Sequence, residues 1–421
     1  MSKLDELLQG VDVEWLPLGD VAEYVRGLTY NKTNESKVNT GYKVLRANNI
    51  TLSNNSLNFD DIKYINFNTK VKDNQKLYKY DILISAASGS RDHVGKVAYI
   101  DSDLDYYFGG FMGVVRCSSK IISKYLFYIL TSDIFKRYID NALNTATINN
   151  LSSSVMNAFK FPIPCPDNPE KSLEIQQEIV RVLDELTSLT NQLTTELETE
   201  RQNRKKQFEF FREQLFRFKE GEFKWVILGD NEYFKISSGG TPSKNKNEYW
   251  NKGNIPWLRS ESCNNKSIIK AKEFISELGL KNSSAKLLEP NTTLIALVGA
   301  TIFKTGFLKF NACTNQNIAS IKSINLNLVN DEYVFMYITS LYETLKAQMK
   351  NYGMLNLTTL RGFKIPIPPL AEQERIVKLL DQFDATHTAI EEEISKEIKL
   401  RTQQYEYYRE KLLSFPSLRT T

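Results

Sequence analysis

Apolar residues recur at spacings of four, three and seven positions in two long stretches, a pattern typical of helices that pair through a coiled-coil seam. The seam positions are Ile179, Leu183, Leu186, Leu193 and Leu197 in the first stretch and Ile376, Leu380, Phe383, Ile390 and Ile394 in the second. The stretches match at a constant offset of 197 residues and contain no internal Gly or Pro. We therefore expect two long helices that pair with each other, although two unrelated helices with solvated faces would carry similar patterns.

The predicted lengths favour an antiparallel pair. At about 1.5 Å per residue each helix extends for roughly 65–70 Å, whereas the block between them is a domain with a radius of gyration of about 15 Å. Such a domain brings the chain back close to where it left, so the second helix should start near the end of the first. In that arrangement Glu200 would face Arg401 and Arg204 would face Glu397, and these hypothetical ion pairs would fix the register.

A globular block precedes each helix, and the two blocks resemble each other. They open with E-W-L-P-L-G-D (Glu14–Asp20) and K-W-V-I-L-G-D (Lys224–Asp230) and close with F-K-F-P-I-P (Phe159–Pro164) and F-K-I-P-I-P (Phe363–Pro368). Between these ends the pattern predicts strand-like segments that break at glycines, then one helix in each block. The strand-like segments include Asp81–Ser90 and Thr293–Thr301, and the helices are predicted over Lys124–Asn141 and Glu332–Lys350. The prolines favour stiff, extended connectors to the long helices.

The resulting fold prediction is α/β (α+β), with two similar globular domains joined and spaced by two long antiparallel coiled-coil helices in a pseudo-twofold internal repeat. The predicted boundaries are 1–166 for the first domain, 167–221 for the first helix, 222–369 for the second domain and 370–421 for the second helix and tail.

Charge is divided unevenly along the chain. The overall net charge is +4, but residues 14–166 carry +4 and residues 222–369 carry +7, so the remainder is acidic. Basic domains on an acidic spacer favour a polyanionic partner for the domains, although an excess of this size also fits ordinary surface variation.

The chain lacks the signals of export and of membrane insertion. Residues 1–10 have no basic start and no apolar core, and no run approaches the 18 or so apolar residues of a membrane helix. Its 4 cysteines are far apart in the sequence. These features favour a cytoplasmic protein without disulfides or zinc.

No stretch predicts a catalytic centre. The segment Gly89–Lys96 resembles a phosphate-binding loop but continues with Val97 instead of Ser or Thr. The run F-G-G-F-M-G (Phe108–Gly113) is better explained by tight strand packing than by a cofactor loop. With only 2 histidines in the chain, a Ser-His-Asp arrangement cannot be argued. We expect a chain that is not an enzyme by itself and that holds no cofactor and no metal.

The turns of both blocks instead carry side chains suited to DNA. Arg pairs with guanine, Asn and Gln with adenine, Ser and Thr with either, and Lys with phosphates. Each residue alone could belong to an ordinary polar loop, but such groups recur at matching places in the two blocks. The candidate DNA-binding residues are Arg46, Asn48, Asn49, Ser85, Ser88, Ser90, Arg91, His93 and Lys96 in the first block and Thr241, Arg259, Ser260, Thr301, Lys304, Asn315, Gln316 and Asn317 in the second.

Several motifs resemble those of the specificity (S) subunits of type I DNA restriction–modification systems. They are G-G-T-P-S (Gly239–Ser243), I-P-W-L (Ile255–Leu258), T-N-Q-N (Thr314–Asn317) and I-P-I-P-P-L-A-E-Q-E-R-I-V (Ile365–Val377). The first block departs from this pattern, with Val25-Arg26-Gly27-Leu28-Thr29 in place of the G-G-T-P motif.

The resemblance implies that each domain recognises one half of a bipartite DNA site, while the helices fix the gap between the halves. It also implies two modification (methyltransferase) subunits that carry S-adenosylmethionine and methylate adenine, and restriction subunits where cleavage occurs. The competing interpretation is a non-catalytic protein–protein scaffold. Aromatic residues near the helix ends could pack inside such a protein or form a docking surface for the modification subunits; they are Phe208, Phe210, Phe211, Phe216, Phe218, Tyr405, Tyr407 and Tyr408.

Overall fold

The two predicted long helices extend over Pro169–Leu215 and Leu370–Leu413 in a computed structural model of the chain. The structure describes residues 11–52, 54–88, 91–144, 150–219, 221, 223–348 and 355–415. The chain divides into two compact units. The first comprises Met1–Leu197 with Ser395–Thr421, and the second comprises Glu198–Ile394.

The first unit contains a four-stranded antiparallel sheet whose neighbouring strands follow the order Ala22–Arg26, Met112–Cys117, Ile82–Ser85 and Val97–Tyr99. A smaller sheet places Tyr42–Leu45 between antiparallel Lys63–Ile65 and parallel Tyr107–Phe108. A hairpin joins Ile50–Thr51 to Ser56–Leu57. Helices cover the larger sheet through a core rich in Ile, Leu and Phe; they are Ser123–Thr131, Asp133–Asn144 and Ser153–Asn157.

The second unit repeats this plan, with one more strand in its larger sheet. Its larger sheet follows the order Phe234–Ser238, Ile318–Ser323, Thr292–Ala296, Thr305–Leu308 and Lys266–Ile268. Its smaller sheet places Ile255–Leu258 between antiparallel Glu273–Ile275 and parallel Cys313–Thr314. The helices are Glu277–Lys281, Asp331–Ser340, Tyr342–Gln348 and Leu357–Arg361. The repeat seen in the sequence is therefore a repeat of topology, and the α+β prediction is confirmed.

The proline-rich segments are strands as well as connectors. Lys160–Pro164 pairs antiparallel with Val13–Pro17, and Lys364–Ile367 pairs in the same way with Lys224–Ile227. Each domain thus closes on itself through a two-stranded ribbon. A two-stranded ribbon consists only of edge strands, which tolerate proline because an edge N–H needs no partner in the sheet.

The prediction of one continuous helix in each block is wrong for both blocks. In the first block the helix ends at Thr131, because Ser132 is extended and its hydroxyl accepts the N–H of Ile134 at the start of the next helix. In the second block the helix likewise divides at Leu341. Residues 349 and 350 of that prediction lie outside the described part of the chain.

Each long helix is held on its own domain by a buried glutamine. The side-chain oxygen of Gln176 accepts the N–H of Ile122 at 2.9 Å, and that of Gln373 accepts the N–H of Asn330 at 2.9 Å. Gln373 also donates to the carbonyls of Leu328 and Pro368. These bonds satisfy backbone groups at the start of the domain helix, where an α-helix cannot satisfy them itself. Both side chains are fully buried, so the bonds fix the direction in which each long helix leaves its domain.

The first seam residues of each long helix serve the domain cores. Ile179 and Leu183 are buried in the core of the first unit, and Ile376 and Leu380 in that of the second. The predicted seam is therefore, in its first turns, a helix-to-domain contact. A helix that pairs with another helix and a helix that packs on a domain both need one apolar stripe on one face. The same apolar spacing therefore fits either contact.

Within the second unit the two long helices run antiparallel. Arg201 donates to the Glu391 carboxylate at 2.7 Å, Phe208 stacks on His387 at 5.1 Å between ring centroids, and Phe211 lies 6.1 Å from Phe383. Positions rise along one helix as they fall along the other, as the sequence predicts. In the first unit, the Thr187 hydroxyl donates to Tyr405 of the other long helix.

The residues that were expected to form ion pairs between the two helices form them within one helix instead. Arg204 donates to Glu200 and Arg401 donates to Glu397, each at one helical turn within its own helix. Such pairs four residues apart form locally because both side chains lie on the same helix face. In the second unit Arg201 and Glu391 form an ion pair between the two helices.

Replacing either buried glutamine by alanine should destabilise the unit that contains it. Gln373→Ala leaves the Asn330 N–H and two carbonyls buried without their partner, at a cost of about 1–3 kcal/mol. We expect a lower urea midpoint, measured by circular dichroism, and a similar effect for Gln176→Ala. Exposed Gln382 on the same long helix provides the control, and Gln382→Ala should leave the midpoint unchanged. Equal midpoints for the Gln373 and Gln382 variants would contradict this role.

Candidate nucleic-acid interface

Four loops meet at one edge of the first unit and are joined by backbone hydrogen bonds. The carbonyl of Leu45 accepts the N–H of Gly109 at 2.9 Å, and the carbonyl of Phe111 accepts the N–H groups of Ala86 and Ala87 at 2.8 and 3.0 Å. The N–H of Leu28 donates to the Phe108 carbonyl at 2.7 Å. We call these four loops the first loop surface; they comprise residues 26–30, residues 46–49, residues 86–88 together with 91–96, and residues 109–111.

The second unit joins its corresponding loops by the same bonds. The carbonyl of Leu258 accepts the N–H of Asn315, the carbonyl of Asn317 accepts the N–H of Leu297, and Gly240 donates to Thr314. We call residues 239–241, 259–262, 297–304 and 315–317 the second loop surface. The bonds place Gly109-Gly110-Phe111 and Asn315-Gln316-Asn317 at equivalent positions, although the side chains have nothing in common.

One glycine in each unit permits this close approach. A Cβ atom on Gly27 would lie 2.1 Å from the Gly109 carbonyl oxygen, and one on Gly239 would lie 2.1 Å from that of Thr314. Both distances are far below contact, so a side chain at either position would separate the loops. The first block therefore keeps the required glycine although it lacks the rest of the G-G-T-P motif.

An arginine follows the central strand of the smaller sheet in each unit. Nη2 of Arg46 lies 2.6 Å from Oδ2 of Asp61, and Nη2 of Arg259 lies 2.9 Å from Oε2 of Glu273. Arg259 also lies over the Trp257 ring, with its guanidinium carbon 5.5 Å from the centroid. Each arginine begins a short 3₁₀ turn, Ala47–Asn49 or Ser260–Ser262.

A lysine occupies an equivalent place beside the central strand of each larger sheet. The Lys96 carbonyl accepts the N–H of Ser85 at 2.8 Å, and the Lys304 carbonyl accepts that of Ala296 at 2.9 Å. The residue before each lysine has a left-handed backbone, with φ of 82° at Gly95 and 67° at Phe303. A short 3₁₀ turn precedes it and ends at His93 in one unit and Thr301 in the other.

Three predicted DNA contacts are buried in this conformation; the side chains of two of them bond to the loop backbone, whereas the Ser85 hydroxyl has no hydrogen-bond partner among the described residues. Asn49, Ser85 and Asn315 are buried. The Asn49 side chain accepts the N–H of Arg46 and donates to the carbonyls of Asn58 and Asp61, and the Asn315 side chain accepts the N–H of Asn317. Asn residues in turns often bond to nearby backbone in this way, and sequence alone does not distinguish that use from base recognition.

The remaining candidates have solvent-accessible surface where the structure describes them. Asn48 and Gln316 are exposed, and Gln316 accepts a hydrogen bond from the Thr241 hydroxyl at 2.5 Å. Arg91 is exposed and donates to the Asp140 carbonyl near the end of a helix. His93 is exposed, Ser88, Lys96, Ser260, Thr301, Lys304 and Asn317 are partly buried, and Ser90 lies outside the described residues.

The sequence did not indicate three side chains that lie in or beside these surfaces. Phe111 is 72% exposed, although strand packing explains the run around it, because a Cβ on Gly113 would lie 2.2 Å from the Tyr24 hydroxyl. Asp61 and Glu273 hold the two arginines, yet no spacing in the sequence marks them. The one available signal in the sequence was Phe111 beside two glycines. That pattern indicated a tight turn but not an exposed aromatic side chain.

The thiols of Cys117 and Cys263 are not activated for reaction. Burial raises the pKa of Cys117 and Cys263 to about 12, so both thiols are protonated at neutral pH and are poor nucleophiles. The described residues contain no group of three or more His, Cys, Asp and Glu side chains placed to hold a metal ion. In the described part of the chain, no helix combines the length and apolar character that crossing a membrane requires.

Comparison with known proteins identifies the repeat. The family model for the type I restriction modification DNA specificity domain matches twice, at residues 10–200 and 224–400. The chain is 34% identical to the specificity subunit of the type I restriction enzyme EcoR124I/EcoR124II of Escherichia coli, over 100% of this chain and 98% of that subunit.

Solved structures agree on the fold. A chain from a study of complex assembly and conformational transition in the type I R-M system superposes with a TM-score of 0.73 at 16% identity, covering 95% of this chain and 97% of that one. The crystal structure of the HsdS subunit from Thermoanaerobacter tengcongensis gives a TM-score of 0.58, also at 16% identity, covering 95% and 96%.

Three findings agree on the family of this chain. They are the two matched domains, the full-length similarity to a specificity subunit, and the two loop surfaces with equivalent frames and different side chains. This chain belongs to the type I restriction–modification DNA specificity family and is a non-catalytic, sequence-specific DNA-recognition subunit.

Proposed function

We propose that each loop surface contacts one half of a bipartite DNA site. The observation that carries this proposal is the equivalence of the two frames. The same backbone hydrogen bonds hold Gly109-Gly110-Phe111 in one unit and Asn315-Gln316-Asn317 in the other. A common frame with different side chains is what two readers of different short sequences need.

The accessible side chains of the two loop surfaces suit different parts of DNA. Arg46 and Arg259 suit guanine edges, and Asn48, Gln316 and Asn317 suit adenine edges. Lys96, Lys304 and Arg91 suit phosphates, which set the position of the protein without reading sequence. Phe111 suits apolar contact with a thymine methyl group. Ser88, Ser90, His93, Thr241, Ser260 and Thr301 are the further polar groups that we assign to this interface.

We propose that the long helices fix the gap between the two half-sites. Their 47 and 44 residues correspond to about 70 and 66 Å of helix. The buried Gln176 and Gln373 make each helix a continuation of its domain, so the helix transmits the orientation of the domain that precedes it.

We further propose two modification subunits as partners, which hold S-adenosylmethionine and methylate adenine, with restriction subunits joining where cleavage occurs. We also propose a cytoplasmic location, because a protein that meets chromosomal DNA in a bacterium works there. Equivalent exposed tryptophans on the two ribbons support a partner present in two copies. Trp15 is 46% exposed and Trp225 is 53% exposed, and exposed tryptophans are frequent anchors of protein interfaces.

The decisive experiment maps N6-methyladenine across a genome in cells that express a cognate modification subunit with or without this chain. We expect a bipartite motif that appears only when the chain is present. Replacing the block 222–369 by that of another family member should change one half of the motif and leave the other half intact. Methylation that is independent of this chain would refute the proposal and favour a protein–protein scaffold.

Arginine variants should each affect one half-site. Arg46→Gln removes a guanidinium from the first loop surface and Arg259→Gln removes one from the second. Because a bidentate arginine contact contributes about 1–3 kcal/mol of discrimination, each should reduce discrimination at one half-site by roughly 5- to 150-fold. Competition binding of the assembled methyltransferase to duplexes with single substitutions in the motif measures this.

Exposed Lys171 and Lys378 on the long helices provide charge-matched controls. Lys171→Gln and Lys378→Gln should leave discrimination at both half-sites unchanged. A loss shared equally by both half-sites in an arginine variant would argue against separate readers.

Removal of either ribbon tryptophan should weaken partner binding. Trp15→Ala or Trp225→Ala should each raise the dissociation constant of one modification subunit by about 10- to 100-fold if the tryptophan is an interface anchor. Titration calorimetry with the modification subunit reports both the constant and the number of sites. Val38→Ala and Ile269→Ala change residues that are 75% exposed elsewhere on each domain and should have no effect. Unchanged binding in both tryptophan variants would exclude the ribbons as the docking surface.

A further inference from the structure

Beside each loop surface lies a carboxylate that contacts the arginine expected to read DNA. In the first unit Asp61 accepts Nη2 of Arg46 at 2.6 Å and Nδ2 of Asn48 at 3.0 Å, so one carboxylate holds two candidate reading residues. In the second unit Glu273 accepts Nη2 of Arg259 at 2.9 Å. The two contacts occur at equivalent places in two sequences that differ around them.

The difference between Asp and Glu follows from strand register. Val44 pairs with Lys63 in the first unit, where the paired strands end; continuing this register by two residues would set Asp61 opposite Arg46. Trp257 pairs with Glu273 in the second unit, so Glu273 lies diagonally from Arg259. Opposite positions lie about 4.5–5.5 Å apart and diagonal ones about 7–8 Å. The extra methylene of glutamate spans the longer distance, and the same contact is made from a different position.

Stability does not explain these contacts. The Asp61 side chain is 68% exposed and that of Glu273 is 38% exposed, and exposed ion pairs contribute little to folding. A carboxylate on a surface that meets phosphates also opposes DNA binding in general. Charge-assisted bonds do, however, restrict the guanidinium to one orientation, and an oriented group loses less entropy when it pairs with a base.

We propose that Asp61 and Glu273 are positioning residues for DNA recognition, each holding the arginine of its loop surface in a fixed orientation and reducing binding to DNA of other sequences. This inference rests on the proposed function, because it requires Arg46 and Arg259 to contact DNA. Repulsion between the carboxylate and the DNA phosphates lowers affinity for every sequence. The oriented arginine restores affinity for the correct sequence alone.

Two variants at each position separate the effect of the carboxylate charge from the effect of the arginine orientation. Asp61→Asn removes the charge and the strong pairing, while Asp61→Glu keeps the charge but changes the reach. Glu273→Gln and Glu273→Asp form the matched pair in the second unit, because aspartate is too short for the diagonal contact.

The measurements use the assembled methyltransferase with two probes, a duplex carrying the mapped motif and a duplex of equal length and scrambled sequence. Asp61→Asn and Asp61→Glu should both reduce discrimination at the half-site read by the first unit, by about tenfold, and leave the other half-site unchanged. Only Asp61→Asn should strengthen binding to the scrambled duplex, with a log–log salt slope steeper by about 0.9, since one more phosphate is neutralised. Glu273→Asp and Glu273→Gln should reproduce this division at the other half-site.

The outcomes distinguish this inference from the function on which it rests. If Arg46→Gln reduces discrimination but neither Asp61 variant does, the positioning role is wrong and the interface stands. If Arg46→Gln itself has no effect, the assignment of the interface fails first. A lower urea midpoint together with equal losses at both half-sites would show that the carboxylate only maintains the fold, which overturns the positioning role.

Discussion

Two buried glutamines connect the two kinds of structure in this protein. Gln176 and Gln373 each belong to a long helix, yet their hydrogen bonds complete the backbone at the start of a domain helix. A buried amide without partners is costly, so the helix cannot rotate or slide on the domain without breaking these bonds. The direction of each long helix is therefore determined by the domain before it. The proposed role of the long helices in spacing the two half-sites depends on this constraint.

The loop surfaces combine a fixed backbone with variable side chains. The central strands, the close contacts at Gly27 and Gly239, and the backbone bonds between loops are shared by both units. What differs is the set of side chains at the loop tips, such as Phe111 in one unit and Asn317 in the other. Because the frame satisfies its own backbone, the tips can change without loss of the fold. If these tips read DNA as we propose, recognition of new sequences can evolve separately in each domain.

Local periodicity predicted the long helices, their repeat and the strands that lead into the loops, because apolar spacing reflects burial on one face. The same spacing did not reveal which partner each face contacts. Ile179 and Ile376 fit a seam between helices, but they are buried in domain cores. Arg204 and Arg401 were placed in pairs across helices, although each forms its ion pair within its own helix. Ser132 interrupts a pattern that is otherwise continuous, because its hydroxyl starts a new helix.

The amino-acid sequence alone determined the duplication, the helical lengths, the basic character of the domains and the loops that we propose as the DNA interface. Those properties depend on residue type and spacing along one chain. Only the tertiary structure decided which loop residues are exposed. Asn48 and Asn49 are adjacent and chemically identical, yet one is exposed and bonded to Asp61 while the other is buried as part of the loop. The pairing of Arg46 with Asp61 and of Arg259 with Glu273 likewise depends on strand register, which brings together residues that have no fixed spacing in the sequence.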